Sequence, residues 1–287
     1  MCPIRVEGDD AIDLQLHTTY SDGSWRPAQL FDHLASAGFR VVAVTDHDHL
    51  GSVPEMVQLG TARGIHVIPA VEATTAWQGH LAHLLCFAEE FSGSALADLV
   101  LATESAQREN TRAVRRELVR RGYAFARQAA VLAAQGGEPE RPIDNARLLL
   151  EHGHVTTLAE GVRQMREAGY RSMSADLAAA VAAAHQSNGV ALLAHPGRAE
   201  SGFTVYDDAL LDALRGEIPL DGIEVRHPSH SARQVEAYDN YARRHGLLRS
   251  AGSDSHGPGQ RLPIPYAARE ASELLARCGV RVAEGSV

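Results

Sequence analysis

Histidines and carboxylates stand at six points of the sequence, in or just after apolar runs. The segments that hold them are Gln15-Leu16-His17 with Ser21-Asp22-Gly23, Thr45-Asp46-His47-Asp48, Val71-Glu72, His80-Leu81-Ala82-His83, Ala194-His195-Pro196 and Gly252-Ser253-Asp254-Ser255-His256. A single histidine at a strand end is more often a hydrogen-bonded loop residue than a ligand. Carboxylates buried beside several imidazoles are costly except around cations. The set therefore predicts a divalent metal centre, and its nitrogen and oxygen ligands suit Mn, Fe or Zn.

The elements that must position these residues can be predicted from the hydrophobic pattern. Apolar runs typical of strands occur at residues 11–17, 41–45, 66–71, 83–87, 190–195, 220–226 and 247–250, and helical patterns lie near 27–37 and 54–62. This alternation predicts βα units around a mainly parallel sheet. Strand ends converge on one face of a barrel-like α/β fold, so the polar segments are expected to meet in one pocket.

The middle of the chain has a different pattern. Between about residues 95 and 186 the sequence is rich in Ala, Arg, Glu and Leu and shows no convincing strand. Breaks at Gly122, at residues 135–139 and at Gly169 divide it into about four helices. We therefore predict a discontinuous catalytic domain at 1–90 and 189–287, with a helical insertion at 91–188.

Composition excludes several classes of protein. The net charge of −9 argues against binding to duplex nucleic acid or to an anionic membrane. All 27 residues counted as Lys or Arg are Arg, which excludes a Schiff-base lysine and the lysine of a P-loop. Three scattered cysteines favour a reducing compartment, and no apolar run approaches the length of about 18 residues that spans a membrane. A cytoplasmic protein is expected.

The ordered motifs resemble those of the PHP (polymerase and histidinol phosphatase) family over the front and back thirds of the chain. The resemblance implies a distorted seven-stranded (β/α) barrel, two or three divalent ions (Mn, Fe or Zn) and hydrolysis of phosphate monoesters. The helical insertion resembles the cap of family members that act on nucleotides.

The resemblance also implies a role for each ligand. His17, Glu72 and Asp254 would hold one ion, Glu72, His83 and His195 a second, and Asp22, His47 and His256 a third. Glu72 and Asp254 are therefore also expected to be catalytic, since the ions activate the attacking water. Most members have His-x-His where this chain has Gln15-Leu16-His17. An amide binds transition metals more weakly than an imidazole, so Gln15 predicts partial occupancy of the first site.

Substrate contacts are expected from residues near these motifs. Arg198 is predicted to bind phosphate, the alternative being an ordinary surface-loop arginine. His230 is predicted to contact the phosphate or to protonate the leaving oxygen, with His227 a weaker candidate. Arg147 and Arg141 open a helix of the insertion and could reach a second phosphate, although a solvated helix face is the more ordinary place for each.

The leading hypothesis is a phosphatase that acts on a small phosphorylated metabolite and releases free phosphate. Nucleoside mono- or bisphosphates such as AMP, or the ends of short oligonucleotides, are the expected substrates. The alternatives are a cyclic phosphodiesterase, a histidinol phosphatase and a non-catalytic module that binds nucleotide or metal. The sequence does not indicate an oligomeric state.

Overall fold

The computed structural model describes residues 4–126, 132, 139–200 and 203–283. It divides into an α/β unit, Met1–Leu101 with Ser174–Val287, and a helical unit, Ala102–Met173. The helical unit is shorter than the insertion predicted at 91–188, and the role of that insertion as a cap stays a prediction.

Strands and helices alternate through most of the α/β unit. The strands are β1 (Ile4–Glu7), β2 (Ala11–Leu16), β3 (Phe39–Val44), β4 (His66–Val67), β5 (Ala70–Trp77), β6 (His80–Phe87), β7 (Ala175–Asp176), β8 (Val190–Leu193), β9 (Gly222–Arg226), β10 (Leu248–Ala251), β11 (Tyr266–Ala267) and β12 (Val280–Ala283). The helices of the whole described chain are α1 (Pro27–Ser36), α2 (Val53–Thr61), α3 (Ala95–Arg120), α4 (Pro142–Glu151), α5 (Leu158–Glu167), α6 (Leu177–Gln186), α7 (Asp208–Glu217), α8 (Ala232–His245) and α9 (Ser272–Arg277), with a 3₁₀ turn at Ala268–Ala271.

Two larger sheets carry the α/β unit. The strand order is β10-β9-β8-β6-β5-β7 in one and β11-β2-β3-β4 in the other, and β1 pairs with β12. Most neighbouring strands are parallel, whereas β5–β6, β6–β8 and β2–β11 are antiparallel. Single parallel bridges, Leu16–Ser255 and His47–Glu72, connect the two larger sheets. The α/β class predicted from the sequence is thus confirmed.

The region between residues 66 and 87 differs from the prediction. The single strand expected at 66–71 is two strands in different sheets, and β5 and β6 form an antiparallel hairpin. Its two-residue turn is Gln78-Gly79, where φ is +48° and +82°, the left-handed conformation that tight hairpin turns require. Glu72, expected just after a strand, and His83, expected at the start of one, therefore both lie within the strands of the hairpin.

The expectation of a strand-free segment between 95 and 186 is wrong at one place. The two-residue strand β7 pairs with β5 at Thr75 and Ala76, an extension too short to leave a hydrophobic pattern. Gly122 and Gly169 follow the ends of α3 and α5 in the left-handed conformation, as their positions in the sequence predicted. The third predicted break, at 135–139, falls almost entirely outside the described residues.

Helix α6 shows how sequence pattern produces the core of the α/β unit. The Asp176 side chain accepts a hydrogen bond from the backbone N–H of Ala179 and so caps the first turn. Leu177, Ala180, Val181 and Ala184 recur at helical spacing and are buried in the main hydrophobic cluster with β5, β6 and β8. Small residues on this face let the helix lie close to the strands that carry polar site residues on their other face.

The helical unit has its own small core. Val114 and Leu118 of α3 pack with Ala146 and Leu149 of α4 and with Met165 of α5. A Cβ at Gly161 would lie 2.9 Å from the carbonyl oxygen of Ala146, so α4 and α5 approach closely only because this residue is glycine. Among the described residues, no helix combines the length and the apolar character needed to cross a membrane.

Candidate metal centre

The Glu72 carboxylate lies at the centre of the predicted site and is fully buried. Its Oε1 lies 2.7 Å from His83 Nδ1 and 3.0 Å from His195 Nε2. Its Oε2 accepts a 2.8 Å hydrogen bond from Gln15 Nε2 and lies 3.0 Å from His17 Nε2. Residues separated by up to 180 positions in sequence thus meet at one carboxylate.

Asp254 provides a second carboxylate beside the first. Its Oδ1 lies 3.1 Å from His17 Nε2 and 3.6 Å from His256 Nδ1. Its Oδ2 lies 3.5 Å from both His227 Nε2 and Arg198 Nη1. His17 is therefore held between Glu72 and Asp254.

Asp22 and three imidazoles form the outer part of the site. Asp22 Oδ1 lies 3.2 Å from His256 Nε2 and 4.0 Å from His17 Nδ1. The His17 ring stacks against the rings of both His47 and His256, with centroid distances of 4.6 and 4.2 Å. His47 Nδ1 also lies 4.0 Å from Glu72 Oε2, so His47 connects this outer part of the site to Glu72.

Strand geometry explains why these side chains converge. Thr74 is the partner of His83 in the β5–β6 hairpin, and Glu72 lies two residues from Thr74 on the same face. His195 and Asp254 follow the ends of β8 and β10 with φ of +31° and +53°, left-handed conformations that turn the chain sharply at the site.

Two further acids near the site bind backbone and hydroxyl groups. Asp46 accepts hydrogen bonds of 2.7 Å each from the Thr18 N–H, the Thr18 hydroxyl and the Ser21 hydroxyl. Asp48 accepts a 2.8 Å bond from the Thr74 N–H. These contacts fix the loop after His17 and join the end of β3 to β5.

Three groups of residues could each hold a cation. Within each group the potential ligand atoms lie within 4.8 Å of one another, and the groups are His17–Glu72–Asp254, His47–Glu72–His83 and His17–Asp22–His47–His256. The first is the set expected for one ion, and the other two overlap the remaining expected sets. His195 lies outside these groups but contacts Glu72. The assignment of individual residues as ligands stays a prediction.

Buried polar atoms show that the site fits a cation. His17 Nδ1, His47 Nδ1 and Gln15 Oε1 are buried without a hydrogen-bond partner among the described residues. Such atoms are costly unless something else binds them. Imidazole nitrogens beside carboxylate oxygens are ligands that Mn, Fe and Zn accept.

Protonation also favours cation binding. Burial alone would raise the pKa of Glu72, but the surrounding imidazoles, His47 and His83 above all, hold it well below its usual value. Burial lowers the pKa of His83 and of His195. At neutral pH the carboxylate is therefore charged and these two imidazoles are neutral, the forms that ligate metals.

His230 does not have the environment expected of a proton donor. Its Nδ1 lies 3.0 Å from the Val225 carbonyl oxygen, and its Nε2 accepts a 3.0 Å hydrogen bond from the Gly197 N–H. Burial lowers its pKa to about 4. Both nitrogens are occupied by backbone, which argues against the predicted catalytic and phosphate-binding roles and makes His230 a support for the loop after His195.

His227, given less weight from the sequence, lies nearer the centre. It is buried, its Nδ1 lies 2.7 Å from the Ser229 hydroxyl, and its Nε2 points at Asp254 without a hydrogen-bond partner in the described chain. The signal that could have identified it is its position directly after β9, since His195 and Asp254 follow β8 and β10 in the same way.

Arg198 lies at the edge of the centre, where the sequence predicted it. Its guanidinium lies 4.8 Å from the centroid of the Phe203 ring and contacts Asp254. Phe203 in turn packs edge-on against His83 and His195. Arg198 is thus held in place from two sides, and its role as a phosphate ligand stays a prediction.

The arginines of the insertion belong to the helical unit. Arg147 lies in α4, and Arg141 precedes that helix and forms a 2.7 Å salt bridge with Asp144. Their predicted contact with a second phosphate stays a prediction.

Comparison with known proteins shows the family to which the chain is similar. Residues 13–188 match the model of the PHP domain. The chain is 31% identical to a 3′,5′-nucleoside bisphosphate phosphatase from Chromobacterium violaceum, over 87% of this chain and 88% of that protein. It is 29% identical to the 5′-3′ exoribonuclease Rnm of Salmonella typhimurium, over 86% and 85% of the two chains.

Two more similarities extend this comparison. A phosphoribosyl 1,2-cyclic phosphate 1,2-diphosphodiesterase from Eggerthella lenta is 29% identical over 88% of this chain and 96% of that protein. The crystal structure of a Bifidobacterium adolescentis protein, described as a candidate metal-dependent phosphoesterase, superposes with a TM-score of 0.78 at 23% identity and covers 93% of this chain and 96% of its own. The latter similarity supports the fold alone.

We expect Gln15→His to raise the amount of tightly bound metal. An imidazole binds transition metals more strongly than an amide, so the His17–Glu72–Asp254 group should retain about one additional equivalent per chain. Metal content after dialysis, measured by plasma mass spectrometry, tests this. Gln58→His, the same change on the exposed face of α2, is the control. Unchanged metal content in Gln15→His would contradict the expectation.

Stabilisation by metal should depend on pH through His17. Burial would lower the pKa of His17, but hydrogen bonds with Asp254 and Glu72 raise it well above its usual value of 6.5. The imidazolium therefore stabilises the metal-free fold fully below about pH 6.5, and this stabilisation is lost as the pH rises through the raised pKa. A metal ion must displace that proton, so its advantage grows with pH.

Calorimetry of protein stripped with a chelator tests this expectation. The rise in melting temperature caused by Mn²⁺ should be larger by roughly 4 °C at high pH than at about pH 6. His17→Gln should remove most of the difference. An equal rise at both pH values would show that no proton is displaced from His17.

Proposed function

The chain belongs to the PHP domain family of metal-dependent phosphoesterases, and we propose that it hydrolyses phosphate monoesters of nucleotides at the Glu72 centre. Nucleoside 3′,5′-bisphosphates are the proposed preferred substrates, with nucleoside monophosphates such as AMP and short oligonucleotide ends as related ones. Free phosphate is the product. The similarity to a bisphosphate phosphatase over most of both chains supports this choice.

One observation carries the proposal: both oxygens of the buried Glu72 carboxylate contact imidazoles, and Asp254 lies beside them. A carboxylate that faces ligands on both sides is suited to bridge two cations. We propose two or three divalent ions, Mn, Fe or Zn, with the ligands predicted from the sequence. Such ions would supply hydroxide at neutral pH and would neutralise charge on the phosphoryl oxygens.

The surrounding residues position the ester. Arg198 presents a planar donor pair that matches two phosphate oxygens, and its contacts with Phe203 and Asp254 limit the freedom that it would lose on binding. His227 Nε2 lies 3.5 Å from Asp254 Oδ2, and we propose that it hydrogen-bonds a phosphate oxygen of the substrate. It replaces His230 in the proposed substrate contacts.

The architecture proposed for the catalytic unit is a seven-stranded barrel. The two bridges between the larger sheets would close β2, β3, β5, β6, β8, β9 and β10 into a ring. The roles that the sequence predicts for the helical insertion and for Arg147 remain proposals. A cytoplasmic location is part of the same proposal.

A cyclic phosphodiesterase is the second candidate function, favoured by the similarity to the Eggerthella lenta enzyme. Histidinol phosphatase, considered from the sequence, gains no support from the relatives described above. A non-catalytic binding module is disfavoured because nearly all of the expected cation ligands are present. Two of the three candidate cation groups contain Glu72.

Phosphate release from a panel of esters tests the function. The Mn²⁺-loaded protein should hydrolyse a nucleoside 3′,5′-bisphosphate with a kcat/KM about tenfold above that for AMP, as one additional charged hydrogen bond allows. A cyclic phosphate, histidinol phosphate and a 5′-phosphorylated oligonucleotide complete the panel. Glu72→Ala should reduce turnover by more than about 100-fold, beyond the usual effect of groups that merely support a ligand.

Glu109→Ala, on the exposed face of α3, is the matched control and should retain activity. The absence of phosphate release from every ester would refute the proposed function. Full nucleotide binding by Glu72→Ala, combined with no turnover by the wild type, would identify a binding module.

Arg198 should contribute to phosphate binding. Arg198→Gln removes a charged hydrogen-bond donor and should lower kcat/KM by roughly 10- to 100-fold. Arg198→Lys should recover only part of this loss, because an ammonium lacks the bidentate geometry. Arg233→Gln, at an exposed position of α8, should leave the kinetics unchanged. Equal kinetics for Arg198→Gln and wild type would exclude phosphate binding by Arg198.

A further inference from the structure

Glu224 is a fully buried acid beneath the metal centre that belongs to none of the three candidate cation groups. It lies in β9, next to β8, whose end leads to His195. Its Oε2 accepts a 2.8 Å hydrogen bond from the backbone N–H of His195. Its other oxygen has no hydrogen-bond partner within the described ranges.

The residue that Glu224 holds has an unusual backbone conformation. His195 has φ of +31°, which is uncommon and strained for a residue other than glycine. This conformation decides where the imidazole points, and Nε2 reaches to 3.0 Å from Glu72 Oε1. A strained conformation persists only where surrounding contacts enforce it.

The packing around Glu224 keeps space for its carboxyl group. A Cβ at Gly252 would lie 2.7 Å from Glu224 Oε1 and 2.4 Å from Gln15 Cβ. Only glycine at this position lets the Glu224 side chain and the Gln15 side chain lie under the centre together. The long, buried side chain is therefore accommodated by the glycine that follows β10, the strand next to β9.

Asp13, in β2, shows a similar arrangement. It is fully buried, and its Oδ1 accepts a 2.9 Å hydrogen bond from the Ser253 N–H. The next residue, Asp254, has φ of +53°. Two buried acids thus bind the backbone where two strands turn sharply to present His195 and Asp254.

We propose that Glu224 is a positioning residue for the metal centre, whose hydrogen bond to the His195 N–H fixes the imidazole against Glu72. This inference rests on the proposed function in that it assigns the Glu72 centre to cations. The length of the Glu224 side chain, and not its ability to carry a negative charge, is the property that matters. If Glu224 instead balanced the charge of the cations, an ionisable group would matter more than the length of the side chain.

Two variants separate reach from charge. Glu224→Gln keeps the length of the side chain and an oxygen that can accept the same hydrogen bond, but cannot ionise. Glu224→Asp keeps the carboxyl group and is one methylene shorter, so this group falls short of the His195 N–H. Both retain a polar group of similar size, which favours folding. Ile223→Val, a buried change in the same strand, controls for loss of core packing.

The readout is metal affinity, measured by competition with a chelator, together with kcat and KM for phosphate release. Glu224→Asp should bind Mn²⁺ about 10- to 100-fold more weakly, the usual effect of losing a group that orients a ligand. Glu224→Gln should stay within about threefold of the wild type. Activity lost by Glu224→Asp should appear in kcat and be partly restored by excess Mn²⁺, whereas Ile223→Val should alter only the melting temperature.

The proposal is overturned if Glu224→Asp binds as tightly as the wild type, or if Glu224→Gln is weakened as much as Glu224→Asp or more. Metal affinity is measured without substrate, so these outcomes are distinguishable from failure of the proposed function. The order of metal affinities among the variants can be measured even if the protein releases phosphate from no ester in the panel.

Discussion

A single carboxylate constrains the whole α/β unit. Glu72 has no exposure to solvent, and its two oxygens contact side chains from three other strands or strand ends. A buried charge of this kind is tolerated only with several hydrogen bonds and positive partners. Gln15, His83 and His195 contact the carboxylate and His17 is its positive partner, so the sheets, the hairpin and the sharp turns after β8 and β10 must all be in place for the full set of contacts to form.

Much of this arrangement could be predicted because histidines and carboxylates that follow apolar runs form a pattern of their own. The periodicity of the strands alone would not have identified the site. Polar residues after apolar runs identified His17, His47, His195 and Asp254 without knowledge of the fold, and the α/β alternation is confirmed. The hairpin was missed because its two-residue turn, Gln78-Gly79, has only one residue of the usual turn type. The strands β7 and β11, of two residues each, are too short to show a period.

Sequence could not distinguish residues of the same type that sit two or three positions apart. His227 and His230 both follow β9, but only the three-dimensional contacts show that backbone groups occupy both nitrogens of His230. Glu224 gave no signal either, because a lone acid inside an apolar strand is ambiguous until its partner, a backbone N–H, is seen. A backbone N–H or C=O group is available whatever the type of the residue, so contacts to backbone atoms cannot be recognised from a sequence motif.

The β5–β6 hairpin has a consequence for how the site is assembled. Glu72 and His83 are eleven residues apart and become neighbours as soon as a local hairpin forms, an event of microseconds. His195 and Asp254 approach only after the chain has closed loops of more than a hundred residues, which is slow. A nascent chain therefore presents one part of the candidate metal centre long before the other part exists, and the complete set of candidate ligands forms only when segments far apart in sequence have come together.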